Sequence, residues 1–458
     1  MKHDYLSLLR NGAPLSLSQQ LYLIFQLSLP AVLAQLSSIM MSYIDASMVG
    51  RLGAADSASI GLVASTTWLI YGVCFAASMG FTVQVSHLIG AKNEKEARNL
   101  LKIAFISTLG FSLLLMASSL AACDFLPWWL GATEEIYSGA RTYFFVFCLS
   151  IPVCQISDLA EGMLQSSGEM KVPSILQVLM GVLNVIFNYI FIFRMEMGIF
   201  GAALGTLISR ITIALLLVYF LFARSPALRL RKKEKIKFKI EYFINALRIG
   251  LPVAFQQLVM SMGQIAFTKI VSPLGKIAVA ANSFGITAES LCYMPAYGIS
   301  VAATTLTGQS YGAKRYDMIQ KLSSLTTIIG FLLMILAGGL MFVFAPEMIG
   351  FLSPDEEIRK LGASILRIES FSEPFYGSSM IIAGALRGVG DTFVPSLLNF
   401  ISMWGIRIPL AVFLRKNFGL EGIWFAMSFE LFVRGCLFII SLILKRKNSK
   451  IDGDASNS

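Results

Sequence analysis

The stretch LPAVLAQLSSIMMSYID, residues 29–45, decides how this chain is read. It is predominantly apolar, holds Pro30 near its start and closes on Asp45, with no basic residue before Arg51. Together with the apolar residues that precede it, the run spans roughly residues 20–45, long enough for a helix to cross a hydrocarbon core. A carboxylate on such a helix costs roughly 3 kcal/mol to insert. Two readings stand at this point. Asp45 either works with partners inside a bundle, or caps the helix at the membrane surface.

The rest of the chain is of the same kind. Of its 458 residues 56% are hydrophobic and only 14% charged, and the mean hydropathy is +0.70. Soluble domains carry about a quarter charged residues. The apolar runs are continuous rather than alternating, which excludes a transmembrane β-barrel. No cleavable signal peptide is expected, since the first 20 residues are polar and contain Arg10 and Pro14. The cysteines, Cys74, Cys123, Cys148, Cys154, Cys292 and Cys436, form no CxxC pair and read as packing residues. His3 and His87 are the only histidines, too few for a metal centre. A net charge of +10 would suit nucleic acid if it were clustered on a domain. Here it lies in membrane-flanking loops, so no nucleic-acid partner is expected.

Twelve spans are predicted, at roughly 20–45, 59–85, 100–122, 141–163, 173–193, 202–223, 244–270, 277–303, 322–345, 363–386, 392–414 and 420–444. The loop after the second holds Lys92, Lys95 and Arg98. The stretch 224–243 holds Arg224, Arg229, Arg231, Lys232, Lys233, Lys235, Lys237 and Lys239, with Glu234. The tail begins Lys445-Arg446-Lys447. The positive-inside rule makes all three cytoplasmic, with both termini inside a bacterial inner membrane. Arg415 and Lys416 run against the rule but are outnumbered.

An internal repeat organises these spans. Leu29-Pro30 returns as Leu251-Pro252, Leu52-Gly53 as Leu274-Gly275, and Gly90-Ala91-Lys92 as Gly312-Ala313-Lys314. Glu134-Glu135-Ile136 returns as Glu356-Glu357-Ile358, and Gly168 and Val172-Pro173 as Gly390 and Val394-Pro395. Every pair keeps the offset 252 − 30 = 222. An all-α polytopic membrane protein follows, with two parallel six-helix lobes about a central cleft. The predicted organisation is an N-terminal lobe at 1–223, a cytoplasmic basic linker at 224–243, a C-terminal lobe at 244–444 and a polar tail at 445–458. Such duplicated lobes suit transport by alternating access. No GxxxxGK[ST] loop is present, so an ion gradient rather than ATP is the expected drive.

The repeat also serves as an internal control. Asp45 maps to Phe267, Tyr143 to Ile365, Asn184 to Ile406 and Asn188 to Leu410. Asn184 and Asn188 share one helix face. A carboxylate, two amides and a phenol are hard oxygen donors that suit Na⁺, or a proton held on the carboxylate. Helix-bridging hydrogen bonds are the plainer alternative for the asparagines.

The LP…D and LP segments, the Gly-Ala-Lys loops, Ala385-Leu386-Arg387-Gly388 with Gly390-Asp391 and Pro395, and the Asn184 to Asn188 segment together resemble the multidrug and toxic compound extrusion (MATE) family. The resemblance covers about residues 20–444. It implies a cation site in the N-terminal lobe, formed by Asp45, Tyr143, Asn184, Asn188 and Thr206. Asparagine at 188 resembles NorM-like members; archaeal and DinF-like members carry aspartate there. NorM-like members also place a glutamate on helix 7 and an aspartate on helix 10, positions that fall on Met260 and Tyr376, so this chain departs from that pattern at both.

The expected function is Na⁺- or H⁺-coupled antiport of organic, cationic and amphipathic compounds by a monomer in the lipid bilayer, with no organic cofactor. Gln257, Met260, Glu289, Glu373 and Tyr376 are the candidates for the substrate cleft. Pairing of Lys269 with Glu289 and of Arg407 with Glu430 is the alternative account of the intramembrane charges. A lipid-linked oligosaccharide flippase of the same superfamily is a rival, although its members usually have two extra helices. A membrane-embedded enzyme would need an interfacial catalytic cluster, and none is legible.

Overall fold

The computed structural model describes residues 5–231, 234 and 236–455. Lys232, Lys233 and Lys235 of the basic linker, and the side chains of Arg446 and Lys447, lie outside that description. Every span is helical. The N-terminal repeat runs Leu17–Gly50, Ala54–Gly90, Glu94–Ala121, Glu134–Ser166, Lys171–Asn188 and Gly198–Tyr219. The C-terminal repeat begins Ile240–Val271, Lys276–Gly312 and Tyr316–Leu352.

Among the described residues, nine stretches are long and apolar enough to cross a membrane unaided. The other three spans are less apolar or less separate, for identifiable reasons. Lys276–Gly312 is 37 residues long, but it spends many positions on buried polar groups such as Asn282, Glu289, Thr305 and Gln309. The tenth span breaks into Glu356–Ser370 and Glu373–Gly388, with a proline, Pro374, in the first turn of the second piece. The eleventh and twelfth run together in Phe393–Lys445 and part only at Gly419, whose φ of 56° and ψ of −133° no helix contains. Side chains such as Leu114, Phe351 and Phe413 remain exposed. In a bilayer these are the lipid-facing surface, and burying them against protein is not required.

The duplication is visible in the backbone. Lys92 and Lys314, 222 apart, both adopt positive φ, 59° and 56°. That conformation is uncommon for a side chain with a Cβ. Its recurrence at matched positions means that the two Gly-Ala-Lys turns close the same way.

Residue contacts divide the chain into two compact units, Leu36–Gln257 on the one hand and Met1–Gln35 with Leu258–Ser458 on the other. These differ from the contiguous lobes 1–223 and 244–444 expected from the repeat. The first and seventh spans are each cut partway, at Gln35 and Gln257, themselves 222 apart. Close packing explains the cuts. A Cβ at Gly298 would lie 2.6 Å from the Val32 backbone nitrogen, and one at Gly250 would lie 2.9 Å from the Ala76 carbonyl. Small residues let these helix pairs approach closely.

The core of the C-terminal unit gathers Phe267, Met334, Ile365, Leu366, Ile381 and Trp424, among others. Phe267 and Ile365 are the repeat mates of Asp45 and Tyr143, and both are buried in that core, with Leu410 packed against it.

Candidate cation site and buried charges

Asp45 is not a helix cap. Its helix continues to Gly50, and a carboxylate near a helix C-terminus gains nothing from the helix dipole. It is half-buried, and its Oδ1 accepts a hydrogen bond from Asn188 Nδ2. The same Nδ2 lies 3.3 Å from Asn184 Oδ1. Asn184 Nδ2 donates in turn to Thr206 Oγ1 at 3.0 Å, and Thr206 donates to the Ala202 carbonyl at 3.1 Å. Three helices thus hold one polar chain, Asp45–Asn188–Asn184–Thr206. The i, i+4 spacing of the asparagines places them on one face. A π-helical turn, Tyr189–Arg194, follows Asn188 at once; such turns recur at functional sites.

One atom of this chain is left over. Asn188 is fully buried, yet its Oδ1 accepts no hydrogen bond. An orphaned buried carbonyl costs roughly 1–3 kcal/mol and beside a carboxylate it is a ready cation ligand. Gly205 makes room for it, since a Cβ there would run into this oxygen.

Tyr143 lines a small pocket with Tyr71, Val146, Phe147, Ser150, Ala203, Thr206 and Leu207, with a free volume of about 20 Å³. That is room for about one water-sized occupant, far below the roughly 300–1,000 Å³ of drug-sized sites. Arg210, which had no legible partner in the sequence, lies over the Tyr71 ring at 4.7 Å and donates to Cys154 Sγ at 3.2 Å.

The expected cleft residues fall in both units. Gln257 belongs to the same unit as Asp45, whereas Met260, Glu289, Glu373 and Tyr376 belong to the other. Glu289 and Glu373 are 6% and 0% exposed. Neither is presented to a substrate in this conformation, because both side chains turn into the interior of the C-terminal unit. Tyr376 is half-buried and packs edge-on against Tyr293, ring centres 5.3 Å apart. Met260 is half-buried. The Lys269–Glu289 pair does not form, for Lys269 is exposed and Glu289 is not. The Arg407–Glu430 pair does form, at 2.6 Å, and Glu430 also binds Arg434 at 2.6 Å.

Sequence reasoning missed the docking of the basic linker. Arg98, 3% exposed, grips Glu234 with two parallel bonds, Nε to Oε2 at 2.9 Å and Nη2 to Oε1 at 2.8 Å. Asn99 exchanges a reciprocal pair of 2.8 Å bonds with the Lys237 backbone, and Lys102 Nζ donates to the Glu234 carbonyl at 2.7 Å. The clue lay in Glu234, an acid flanked on both sides by lysines and arginines.

Comparison with known proteins follows the same outline. The family model described as MatE matches residues 30–190 and again 252–413, two stretches that begin 222 apart. A probable multidrug resistance protein NorM of Thermotoga maritima is 30% identical over 423 residues, covering 91% of each chain. A probable multidrug resistance protein YoeA of Bacillus subtilis is 26% identical and covers 82% of this chain and 83% of its own. A solved multidrug resistance MATE family transporter in an outward-facing conformation superposes with a TM-score of 0.89 at 22% identity, over 97% of this chain and 98% of that one. With the repeat, the twelve spans and the polar chain at Asp45 already described, these matches place the protein as a multi-pass, NorM-like member of the MATE family of transporters.

Proposed function

We propose that this protein is an ion-coupled antiporter that exports organic cationic, amphipathic compounds across a bacterial inner membrane by alternating access, with both termini cytoplasmic. The observation that carries the reading is the Asp45–Asn188–Asn184–Thr206 chain, with a buried carbonyl oxygen at Asn188 left to bind something.

Asp45, Asn184 and Asn188 supply oxygen atoms to a Na⁺ ion in this proposal, and Tyr143 and Thr206 flank them. A proton on Asp45 would compete with that ion for the same carboxylate. Inward movement of either ion down its gradient then has one group on which to act. Pro30 lies about four turns before Asp45 on the same helix. It removes a backbone hydrogen bond and offers a bend point whose angle the state of Asp45 can bias. The apolar mates Phe267, Ile365, Ile406 and Leu410 keep this site to one repeat. Names of relatives such as NorM, a probable multidrug resistance protein, support the efflux direction and the broad substrate class.

Efflux from proteoliposomes under an imposed Na⁺ gradient, then an imposed pH gradient, tests the reading. Uphill movement of a cationic dye under one of the two supports it. Asp45→Asn keeps the size and the Asn188 contact but removes the charge, and should insert normally while abolishing gradient-driven efflux. Asn184→Ala and Asn188→Ala should give smaller losses. Wild-type uphill pumping by Asp45→Asn would end the mechanism.

A further inference from the structure

The two repeats treat the segment before their first helix differently, and the difference falls in the basic linker. Residues 227–240 are the repeat mates of residues 5–18, again 222 apart. Both segments are docked. Arg315 Nη1 donates to the Ala13 carbonyl at 3.2 Å and Arg10 Nε to Gln309 Oε1 at 3.1 Å, while Arg98, Asn99 and Lys102 hold the linker. The N-terminal segment buries Leu6, Leu9 and Leu15. The linker likewise buries Ala227 and Leu228, but further on its apolar side chains are left outside. Phe238 is 69% exposed, and Ile236 and Ile240 are exposed on either side of it. Their repeat mates are Ser16, Pro14 and Ser18. The fold therefore does not require apolar residues at these three places.

Basic residues alternate with these apolar ones, in the order Lys235, Ile236, Lys237, Phe238, Lys239, Ile240. Residues 236–239 are not helical, and Asn99 engages both the backbone N–H and the carbonyl of Lys237 at 2.8 Å. The segment is thus fixed by its backbone, and its side chains are left to face outward. Much of the positive charge is not spent on the protein. Glu234 takes up Arg98 at 2.8 Å and Glu96 takes up Lys239 at 3.1 Å, but Arg229, Arg231 and Lys237 are exposed. Glu241, also exposed, offsets one of these charges. The apolar surface does not stop at the linker. Ile240, Ile244, Leu247, Leu251 and Phe255 are all exposed, and their spacing makes one stripe of the seventh span. In a bilayer that stripe has acyl chains to meet. The linker joins it at the end of the span, where aromatic and basic side chains gather at the membrane–water boundary.

We propose that residues 229–240 form a docking strip for anionic phospholipid. Ile236 and Phe238 enter the outermost acyl layer, and Arg229, Arg231 and Lys237 meet the phosphates, together with Lys232, Lys233 and Lys235 beside them in sequence. Charge complementarity selects this occupant. A zwitterionic headgroup has no net charge to set against the surplus of cations, whereas each Lys or Arg near an anionic membrane surface strengthens association about fivefold. Long basic side chains suit this boundary, since their stems lie along apolar surface while the charged ends stay in water. The strip ties the connection between the two repeats to the membrane surface. It needs only that the chain spans a membrane, and not the proposed orientation or the proposed transport.

The test uses the full chain with Phe238→Trp, reconstituted in phosphatidylcholine vesicles with no gradient imposed. Bromine on an acyl chain quenches a nearby indole, and subtracting the wild-type emission isolates the tryptophan at 238 from the five native ones. Brominated phosphatidylglycerol should quench it several-fold more than the same fraction of brominated phosphatidylcholine. That preference should shrink as NaCl is added, a measurement that needs no further variant. It should also fall several-fold when Arg229→Gln, Arg231→Gln and Lys237→Gln are combined with Phe238→Trp. All three replace exposed side chains, so the protein should melt as before. Ser18→Trp, at the exposed mate of Ile240, should show no preference for the anionic lipid. Equal quenching by the two lipids at low salt would overturn the proposal, since apolar contact alone would explain it. Quenching by neither lipid would overturn it as well, leaving Phe238 to water or to a protein partner. A preference that survives both high salt and the combined substitutions would assign the lipid to other residues and reject the strip.

Discussion

At Gly205 the physical chemistry of the candidate site can be tested without touching a charged residue. A Cβ at this position would overlap Asn188 Oδ1 and sit 3.0 Å from the Asn188 backbone nitrogen. Side-chain rotation could relieve the first clash but not the second, since the backbone nitrogen is held in its helix. Overpacking of this kind costs about 1–3 kcal/mol. Gly205→Ala should therefore lower the melting temperature by several degrees and pull Asn188 away from Asp45. Any stabilisation that added Na⁺ confers on the wild type should shrink in the variant. Gly110→Ala is the control, because nothing lies within 4 Å of its Cβ position. Thermal melts with and without Na⁺ decide the matter, and a Gly205→Ala protein that melts and responds like wild type would remove Asn188 from the site. At this scale much was legible in the sequence. Repeat mates that differ in polarity, Asp45 against Phe267 and Asn188 against Leu410, marked the polar positions before any geometry was known. The orphaned carbonyl of Asn188 was not legible, because which oxygen lacks a donor depends on packing by Gly205, on another helix. Nor was the burial of Glu289 and Glu373, since a periodic pattern says which face a residue takes but not which charge that face meets.

At the scale of elements, the basic linker is held to the third span by Arg98, Asn99 and Lys102. The Arg98 guanidinium, by direct hydrogen bonds, holds the Glu234 carboxyl below the usual glutamate range. The Glu96 carboxylate, again chiefly by a hydrogen bond, raises Lys239 above the usual lysine value. The two shifts act at opposite ends of the pH scale. Glu234 contributes its stabilisation above its unfolded value and loses it as pH falls through its lowered folded value. Lys239 contributes below its unfolded value and loses it as pH rises through its raised one. The linker should stay docked from about pH 5 to about pH 10 and release beyond either end. An environment-sensitive fluorophore on Ile236→Cys, an exposed position, reads this directly. Glu234→Gln should weaken docking by about 1–2 kcal/mol and abolish the acid-side transition while keeping the alkaline one. An acid transition that persists in Glu234→Gln would assign it to another group. Two elements also escaped the simple span pattern. The tenth span is two short helices, and the eleventh and twelfth join with Arg415, Lys416 and Asn417 still helical, because the chain turns at Gly419.

For the whole molecule, the 222-residue repeat carries the argument from sequence to architecture. It survives in the backbone at Lys92 and Lys314, in the matched family segments that begin at Pro30 and Pro252, and in the unit boundaries at Gln35 and Gln257. Those boundaries were not legible, since an offset between like residues fixes which segments correspond, not which segments pack together. An even number of spans per repeat puts residues 224–243 and the C-terminus on one side of the membrane. We propose that this side is the cytoplasm, because both segments concentrate basic charge. The alternative, with both outside, would place the acidic loops around Glu134 and Glu356 in the cytoplasm and is disfavoured by the same rule. Cysteines introduced one at a time as Lys235→Cys and Lys450→Cys, in a background lacking the six native cysteines, turn this into a measurement. In intact cells an impermeant thiol reagent should label neither, and after permeabilisation it should label both. A third position, Glu135→Cys, should be labelled from outside without permeabilisation. The two cysteines have to agree with each other whatever the orientation. Labelling of both from outside would invert the molecule, whereas labelling of one alone would mean an odd number of crossings between them. That last result would break the parallel relation of the two repeats, and with it the reason for expecting two six-span lobes to alternate access between the two sides.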